Sequence, residues 1–320
     1  MEWLERQDFL MNTTVEQKIG GEDAAAAAQN AVNEISHLES LMSFFIDSGE
    51  VAQINRSAGR KAVCVGKDVM TVLGAAIQFA EISGGAFDIT LAPVIDLWRR
   101  CGKQSVLPSS KEINTALSFC GYHNLQLDNE NNTAFLRGDG CLIDLGAIGK
   151  GYAADCCIEI YKAMGIQSAF INLGGNVKTL GNNPDGRPWA IGIQHPDQRR
   201  GTFFGALDIQ DQSVVTSGAY ERYFETGGKK HHHIVDHKTG RPCDSDIKSV
   251  TVICQSSMQA DCLSTAAFVL GLTDGMDLIG KTDNTEAVFY TENNEIYITR
   301  NLPGQFHLQK ISRLDCYVCR

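Results

Sequence analysis

The spacing of apolar and polar positions divides the chain into helical and extended stretches. Between residues 21 and 48 an alanine-rich run leads into Val32, Ile35, Leu38, Leu41, Met42 and Phe45. Steps of three and four residues predict an amphipathic helix there, ended by a polar turn over 46–55. A second helix is expected from about 67 to 82, with Met70, Leu73, Ile77 and Ala80 on one side and Gly84-Gly85 as its stop. Residues 152–164, closed by Gly165, and residues 257–271, ending in glycine, predict two more. Short apolar runs predict strands at 141–143, from 168 into the Asn172–Asn176 turn, and at 189–193, 202–209, 213–216, 248–254, 286–291 and 295–299. No internal repeat or low-complexity linker interrupts the pattern.

Two strand ends carry glycines. After Cys141-Leu-Ile come Asp144, Gly146, Gly149, Lys150 and Gly151, and then a predicted helix. A strand, a glycine-rich turn and a helix N-terminus together suit a phosphate. The turn is not a Walker loop: Asp144 stands where its first glycine belongs, and Gly151 where Ser or Thr belongs. It does not fit the Rossmann fingerprint either. Asn172-Leu-Gly-Gly-Asn176 repeats the arrangement, so the two ends read either as tight turns or as the floor and rim of a cleft. A third glycine pair, Gly84-Gly85, precedes Phe87, Asp88 and Thr90 and then Pro93, and reads as a turn before a helix or as a surface that a flat ligand can approach.

The most polar stretch, residues 216–242, holds three consecutive histidines, acids, bases and a Thr239-Gly-Arg-Pro turn between two strands. It reads as a solvated hairpin or as a loop that carries binding and catalytic groups. On the last predicted helix Asp261 and Thr265 are four residues apart, so both oxygens project from one face. A carboxylate and a hydroxyl so placed suit Mg²⁺, which takes few protein oxygens. The alternative is a solvated Asp with Thr265 bonded back to a helix carbonyl.

The 320 residues are 43% hydrophobic and 21% charged, an ordinary globular balance. A net charge of −10 argues against a nucleic-acid-binding face. Eleven cysteines follow no disulfide rhythm, and Cys316/Cys319 form a lone CxxC. A four-thiolate zinc site would need a second such pair. Reduced thiols, an N-terminus unlike a signal peptide and no apolar run of membrane-spanning length lead to the expectation of a cytoplasmic protein.

Six stretches, in order, resemble the ApbE-type flavin transferases, the FAD:protein FMN transferases. They are Gly85-Ala-Phe-Asp-Ile-Thr-Leu-Ala-Pro, Asp144-Leu-Gly-Ala-Ile-Gly-Lys-Gly-Tyr-Ala-Ala-Asp, Ile171-Asn-Leu-Gly-Gly-Asn, Ser217-Gly-Ala-Tyr-Glu-Arg, His232-His-Ile-Val-Asp with Thr239-Gly-Arg-Pro, and Ala260-Asp-Cys-Leu-Ser-Thr. The resemblance implies a single α+β domain over residues 1–320, T-fold-like, with antiparallel sheets and packed helices. It implies an enzyme that uses FAD and Mg²⁺ to transfer FMN to a threonine or serine hydroxyl of an acceptor flavoprotein, releasing AMP. Met11, Phe45, Ala86, Phe87 and Asp88 are then expected to line the flavin and adenosine pocket, and Asp144, Lys150 and Ile234 to touch FAD. Mg²⁺ is expected on Asp261 and Thr265, near Ala147 and Ser264. His233 matches the family's functional histidine, with His231 as a spacer. His237 stands where the family usually has proline, and Phe45 where tyrosine is common.

The chemistry of the residues agrees. Cleaving a pyrophosphate requires its charge to be neutralised, which a cation on Asp261 and Thr265 together with Lys150 supplies. The attacking hydroxyl needs a proton acceptor, and both His233 and Asp236 qualify. FAD hydrolysis to FMN and AMP, and a non-catalytic FAD-binding module, are the competing readings.

Overall fold

A computed structural model of the chain describes residues 2–220, 223–309 and 314–319. Among these, the helices are α1 (Ala24–Met42), α2 (Glu50–Ser57), α3 (Lys67–Ile82), α4 (Ala92–Lys103), α5 (Ser110–Leu117), α6 (Gly149–Ala163) and α7 (Ser257–Gly280). The strands are β1 (Trp3–Leu10), β2 (Thr13–Gly20), β3 (Val63–Cys64), β4 (Leu125–Asp128), β5 (Thr133–Leu136), β6 (Ser168–Leu173), β7 (Asn176–Leu180), β8 (Trp189–Gln194) and β9 (Phe203–Ile209). They continue with β10 (Ser213–Gly218), β11 (Tyr223–Thr226), β12 (Lys229–His232), β13 (Ile247–Cys254), β14 (Glu286–Thr291), β15 (Glu295–Ile298), β16 (Phe306–Leu308) and β17 (Asp315–Val318). Helices beside mainly antiparallel sheets make the class α+β, as expected.

The chain forms two compact units. The first comprises Met1–Glu39, Lys150–Gly218 and Asp246–Arg320. Its main sheet has nine strands in the order β1-β2-β6-β7-β10-β13-β14-β15-β17. Among the described residues every pairing in it is antiparallel except the last, β15 with β17. A three-stranded sheet, β16-β9-β8, contributes Ile191, Phe204, Leu207 and Phe306 to a core shared with Val214, Ile253, Val288 and Ile296 of the main sheet. Helix α7 lies on β10 and β13.

The second unit comprises Ser40–Gly149 and Ala219–Ser245. It holds α2 to α5, the three-stranded sheet β3-β5-β4 and the hairpin β11-β12. Val94, Leu97, Trp98 and Ile113 of α4 and α5 pack with Val235 in its core.

Beyond elements that the apolar pattern did not predict (α5, β3 to β5, β7, β16 and β17), four features depart from the sequence expectations. The first helix stops at Met42, and the supposed turn at 46–55 contains α2, because Val51, Ala52 and Ile54 are buried on one face. Residues 141–143 form no strand. Instead the Ile143 backbone is held by one side chain, as Asn55 donates to the Ile143 carbonyl at 3.0 Å and accepts from its N–H at 2.8 Å. Helix α7 does not end at Gly271 but kinks there at φ 76° and continues to Gly280. It is therefore long and apolar enough, by length and composition, to cross a membrane, although 56% of its most apolar window is buried within the protein. Last, β1 and β2 were not predicted. They are joined by a two-residue turn, Met11-Asn12, with both φ positive, the geometry that matches hairpin twist.

Candidate active site

In the first unit the glycine-led N-terminus of α6 meets the first turns of α7. Gly151 has no room for a side chain: a Cβ there would lie 2.4 Å from the Ser257 carbonyl oxygen. This close approach lets Asp261, only 5% exposed, accept a 3.0 Å hydrogen bond from the Gly151 N–H through Oδ2. The Lys150 ammonium stands 3.9 Å from the same oxygen. A buried carboxylate is thus stabilised by a helix N-terminus and a cation.

Ser264 and Thr265 hydroxyls both donate to the Asp261 carbonyl, at 3.1 and 3.3 Å, and Ser264 also bonds Ser217 at 2.9 Å. Each hydroxyl keeps acceptor lone pairs while donating its proton. The donors here are hard oxygens, the kind magnesium takes. The neighbouring Cys262 offers no thiolate, because complete burial pushes its thiol well above the ordinary range. No cluster of three or more His, Cys, Asp or Glu side chains able to hold a metal occurs among the described residues. The donor set therefore fits a cation that keeps most of its ligands as water or phosphate, and does not fit a thiolate or imidazole site.

Of the paired glycines after β6, the first is explained by packing and the second by its positive φ of 98°. Gly174 sits at φ 63°, and a Cβ there would collide with the Thr13 hydroxyl at 2.1 Å. Met11, expected to touch FAD, is half-buried at the tip of the β1–β2 hairpin of the same unit.

In the second unit α3 ends in Gly84 and Gly85, both with positive φ, and the chain turns into Ala86, Phe87 and Asp88. Ala86 and Phe87 are each 1% exposed, so their side chains belong to the core. Asp88 accepts from the Thr90 N–H at 2.8 Å and its hydroxyl at 2.6 Å, and burial raises its carboxyl above the usual range. Asp144 accepts from the Gly146 N–H at 2.8 Å, and Ala147 is half-buried just before α6. Phe45 lies beyond the end of α1 and is 68% exposed, with the Arg99 guanidinium 4.4 Å from its ring centroid. The aliphatic spacing that placed it on a buried helix face misled, since the helix had already stopped.

The hairpin β11–β12 sorts the three histidines. His231 stacks on Phe224 and on Trp98, with centroids 5.2 and 5.7 Å away, so it is a packing residue and more than a spacer. His232 bonds the Cys243 carbonyl through Nε2 at 2.9 Å, and burial lowers its pKa. His233 is exposed, and Ile234 beside it is buried. Asp236 builds the following turn: its oxygens accept from the Lys238 N–H at 2.9 Å and the Thr239 hydroxyl at 2.8 Å. His237 packs against Gly85, and burial lowers its pKa. Glu221 and Arg222, part of the fourth resembling stretch, lie outside the described residues.

Sequence reading overlooked Asp155 and Lys178, which join α6, β7 and α7 in the first unit. Asp155 closes the second resembling stretch, and its place there was the available signal.

The family model "ApbE family" matches residues 11–289. An FAD:protein FMN transferase of Klebsiella pneumoniae is 34% identical over 290 residues, covering 91% of this chain and 90% of that protein. One from Treponema pallidum is 33% identical over 301 residues, covering 89% and 83%. Among solved structures, the ApbE protein of Thermotoga maritima superposes with a TM-score of 0.85 at 30% identity, covering 92% of this chain and 96% of that one. The flavin transferase ApbE of Vibrio cholerae gives 0.80 at 25% identity, covering 96% of each. With the model spanning both units and relatives matched nearly end to end, this chain belongs to the ApbE family.

Proposed function

We propose that this chain is an FAD:protein FMN transferase. It moves the FMN half of FAD to a threonine or serine hydroxyl of an acceptor flavoprotein and releases AMP. The observation that carries the reading is the buried Asp261 carboxylate, held by Gly151 and Lys150 beside two hydroxyls. Storage of FAD alone would not call for a buried anion of this kind.

Asp261 and Thr265, with Ser264 adjacent, would hold Mg²⁺. When bound, that ion supplies charge neutralisation for the pyrophosphate. Lys150 adds positive charge to the same task. His233 is the residue assigned to take the proton from the acceptor hydroxyl as its oxygen bonds to the FMN phosphorus. The bond from that phosphorus to the bridging oxygen breaks, and AMP departs with the electron pair. The exposure of His233 supports this role, and the two hydrogen bonds that commit Asp236 to a turn argue against Asp236 as the base. The eleven cysteines follow no disulfide rhythm in the sequence, which supports a reducing, cytoplasmic setting.

The test is incubation with FAD, Mg²⁺ and candidate flavoproteins, followed by mass spectrometry for a covalent FMN adduct and quantitation of AMP. Adduct and AMP in equal amounts are expected. AMP and free FMN without adduct would make the protein an FAD pyrophosphatase, and neither product would leave a binding module.

A further inference from the structure

Helices α6 and α7 of the first unit exchange carboxylates. Asp261, on α7, takes the Gly151 N–H of α6, and Asp155, on α6, takes the N-terminus of α7. The second half of this exchange is the stronger. Asp155 Oδ1 accepts from the Ser257 N–H at 2.9 Å and from the Lys178 ammonium. Its Oδ2 accepts from the Met258 N–H at 3.0 Å and the Ser256 hydroxyl at 2.9 Å. Lys178, 9% exposed on β7, also donates to the Gln255 carbonyl at 3.1 Å. Five donated hydrogen bonds, two of them from one buried cation, thus tie the start of α7 to α6 and the sheet. Asp261 follows Met258 by three residues, less than one helical turn, so wherever that first turn sits the Asp261 carboxylate follows.

We propose that Asp155 is a positioning residue for Asp261: it sets the seat of α7 and so the direction of the carboxylate that holds the divalent cation. The inference rests on the reading of Asp261 as the cation ligand. Residues that orient a ligand from behind typically change metal affinity about 10- to 100-fold when removed.

The test compares wild type, Asp155→Asn, Ser256→Ala and Asp261→Asn. Mn²⁺ is the probe, its binding followed by electron paramagnetic resonance of the free ion, with melting temperature as the folding control. Transfer is also measured, as kcat and as half-saturating Mg²⁺ and FAD. Asp155→Asn should weaken Mn²⁺ and raise half-saturating Mg²⁺ by about tenfold while half-saturating FAD stays put. Ser256→Ala removes one donor to Asp155, together with the hydroxyl that caps α7 by accepting from the Gln259 N–H at 3.2 Å, and should shift both in the same direction by less, which keeps the test alive if Asp155→Asn does not fold. Weakened Mn²⁺ in Asp261→Asn but unchanged Mn²⁺ in folded Asp155→Asn or Ser256→Ala would overturn the positioning role alone. Unchanged Mn²⁺ binding in Asp261→Asn would instead remove the cation site, and with it the reading beneath this inference.

Discussion

In the first unit the acids that matter, buried Asp261 and half-buried Asp155, are fixed by backbone amides, and in the second unit the residue assigned to chemistry is the one that packing leaves exposed. Asp155 and Asp261 each sit at the N-terminus of a neighbouring helix, so charge is concentrated where the fold is tightest. Along β12, His231 goes to an aromatic stack and His232 to a carbonyl, and His233, just past the strand's end, is exposed. The contrast teaches two ways of making a polar group available. A cation ligand has to be held still, since a displaced carboxylate loses its ion. A proton acceptor for a protein substrate has to be reachable, since the hydroxyl arrives on another macromolecule.

Breaking the rigid side should have the largest effect. Asp261→Asn preserves shape but removes the anion, and turnover should fall about a hundredfold or more while melting temperature stays near that of the wild type. Thr265→Ser keeps a hydroxyl and should cost far less. Equal turnover and Mg²⁺ dependence in folded Asp261→Asn would end the cation assignment.

On the exposed side, His233→Ala should reduce transfer by about a hundredfold with FAD affinity retained, the size of a lost general base. Titrating FAD against the variant by its flavin fluorescence gives the affinity. Asp236→Asn, which disturbs only a turn, should lose much less. If Asp236→Asn instead matched the loss of His233→Ala, the proton acceptor would be Asp236.

A smaller effect, on stability, should come from the contact that allows the carboxylate exchange. Gly151→Ala places a methyl 2.4 Å from the Ser257 carbonyl oxygen, and overpacking of this kind costs about 1–3 kcal/mol. Denaturant midpoints measure it, and a neutral result would show that α6 and α7 can separate freely.

The smallest effect is that of pH. Burial lowers the pKa values of His195, His232 and His237 from 6.5, so the unfolded chain binds protons that the folded chain resists. Their contribution to stability is therefore present above about pH 6.5 and declines as pH falls through the lowered folded values. Melting temperature should drop on going from pH 7 toward pH 5.5, and His232→Gln should flatten the slope. A melting temperature that rises over that range would contradict the burial of these rings.

What the sequence determined by itself was whatever depends on neighbours along the chain. Periodicity marked α3, α6 and the first part of α7, and apolar runs marked β6, β8 to β10 and β13 to β15, because side-chain direction repeats locally in both kinds of element. The order of short motifs was likewise enough to point to the family. It missed α2, whose buried Val51, Ala52 and Ile54 are flanked by polar residues, and it read a strand at 141–143, where a single Asn55 stands in for a partner strand 88 residues away. Only the tertiary structure decided which glycines serve packing, as Gly151 and Gly174 do, and which of three adjacent histidines remains exposed. It alone brought Asp261 to Gly151, 110 residues apart, and Asp155 to Ser257, 102 apart. Such contacts leave no local signature, because a carboxylate that caps its own helix and one that caps another are the same letter in the chain, and only burial against a particular neighbour tells them apart.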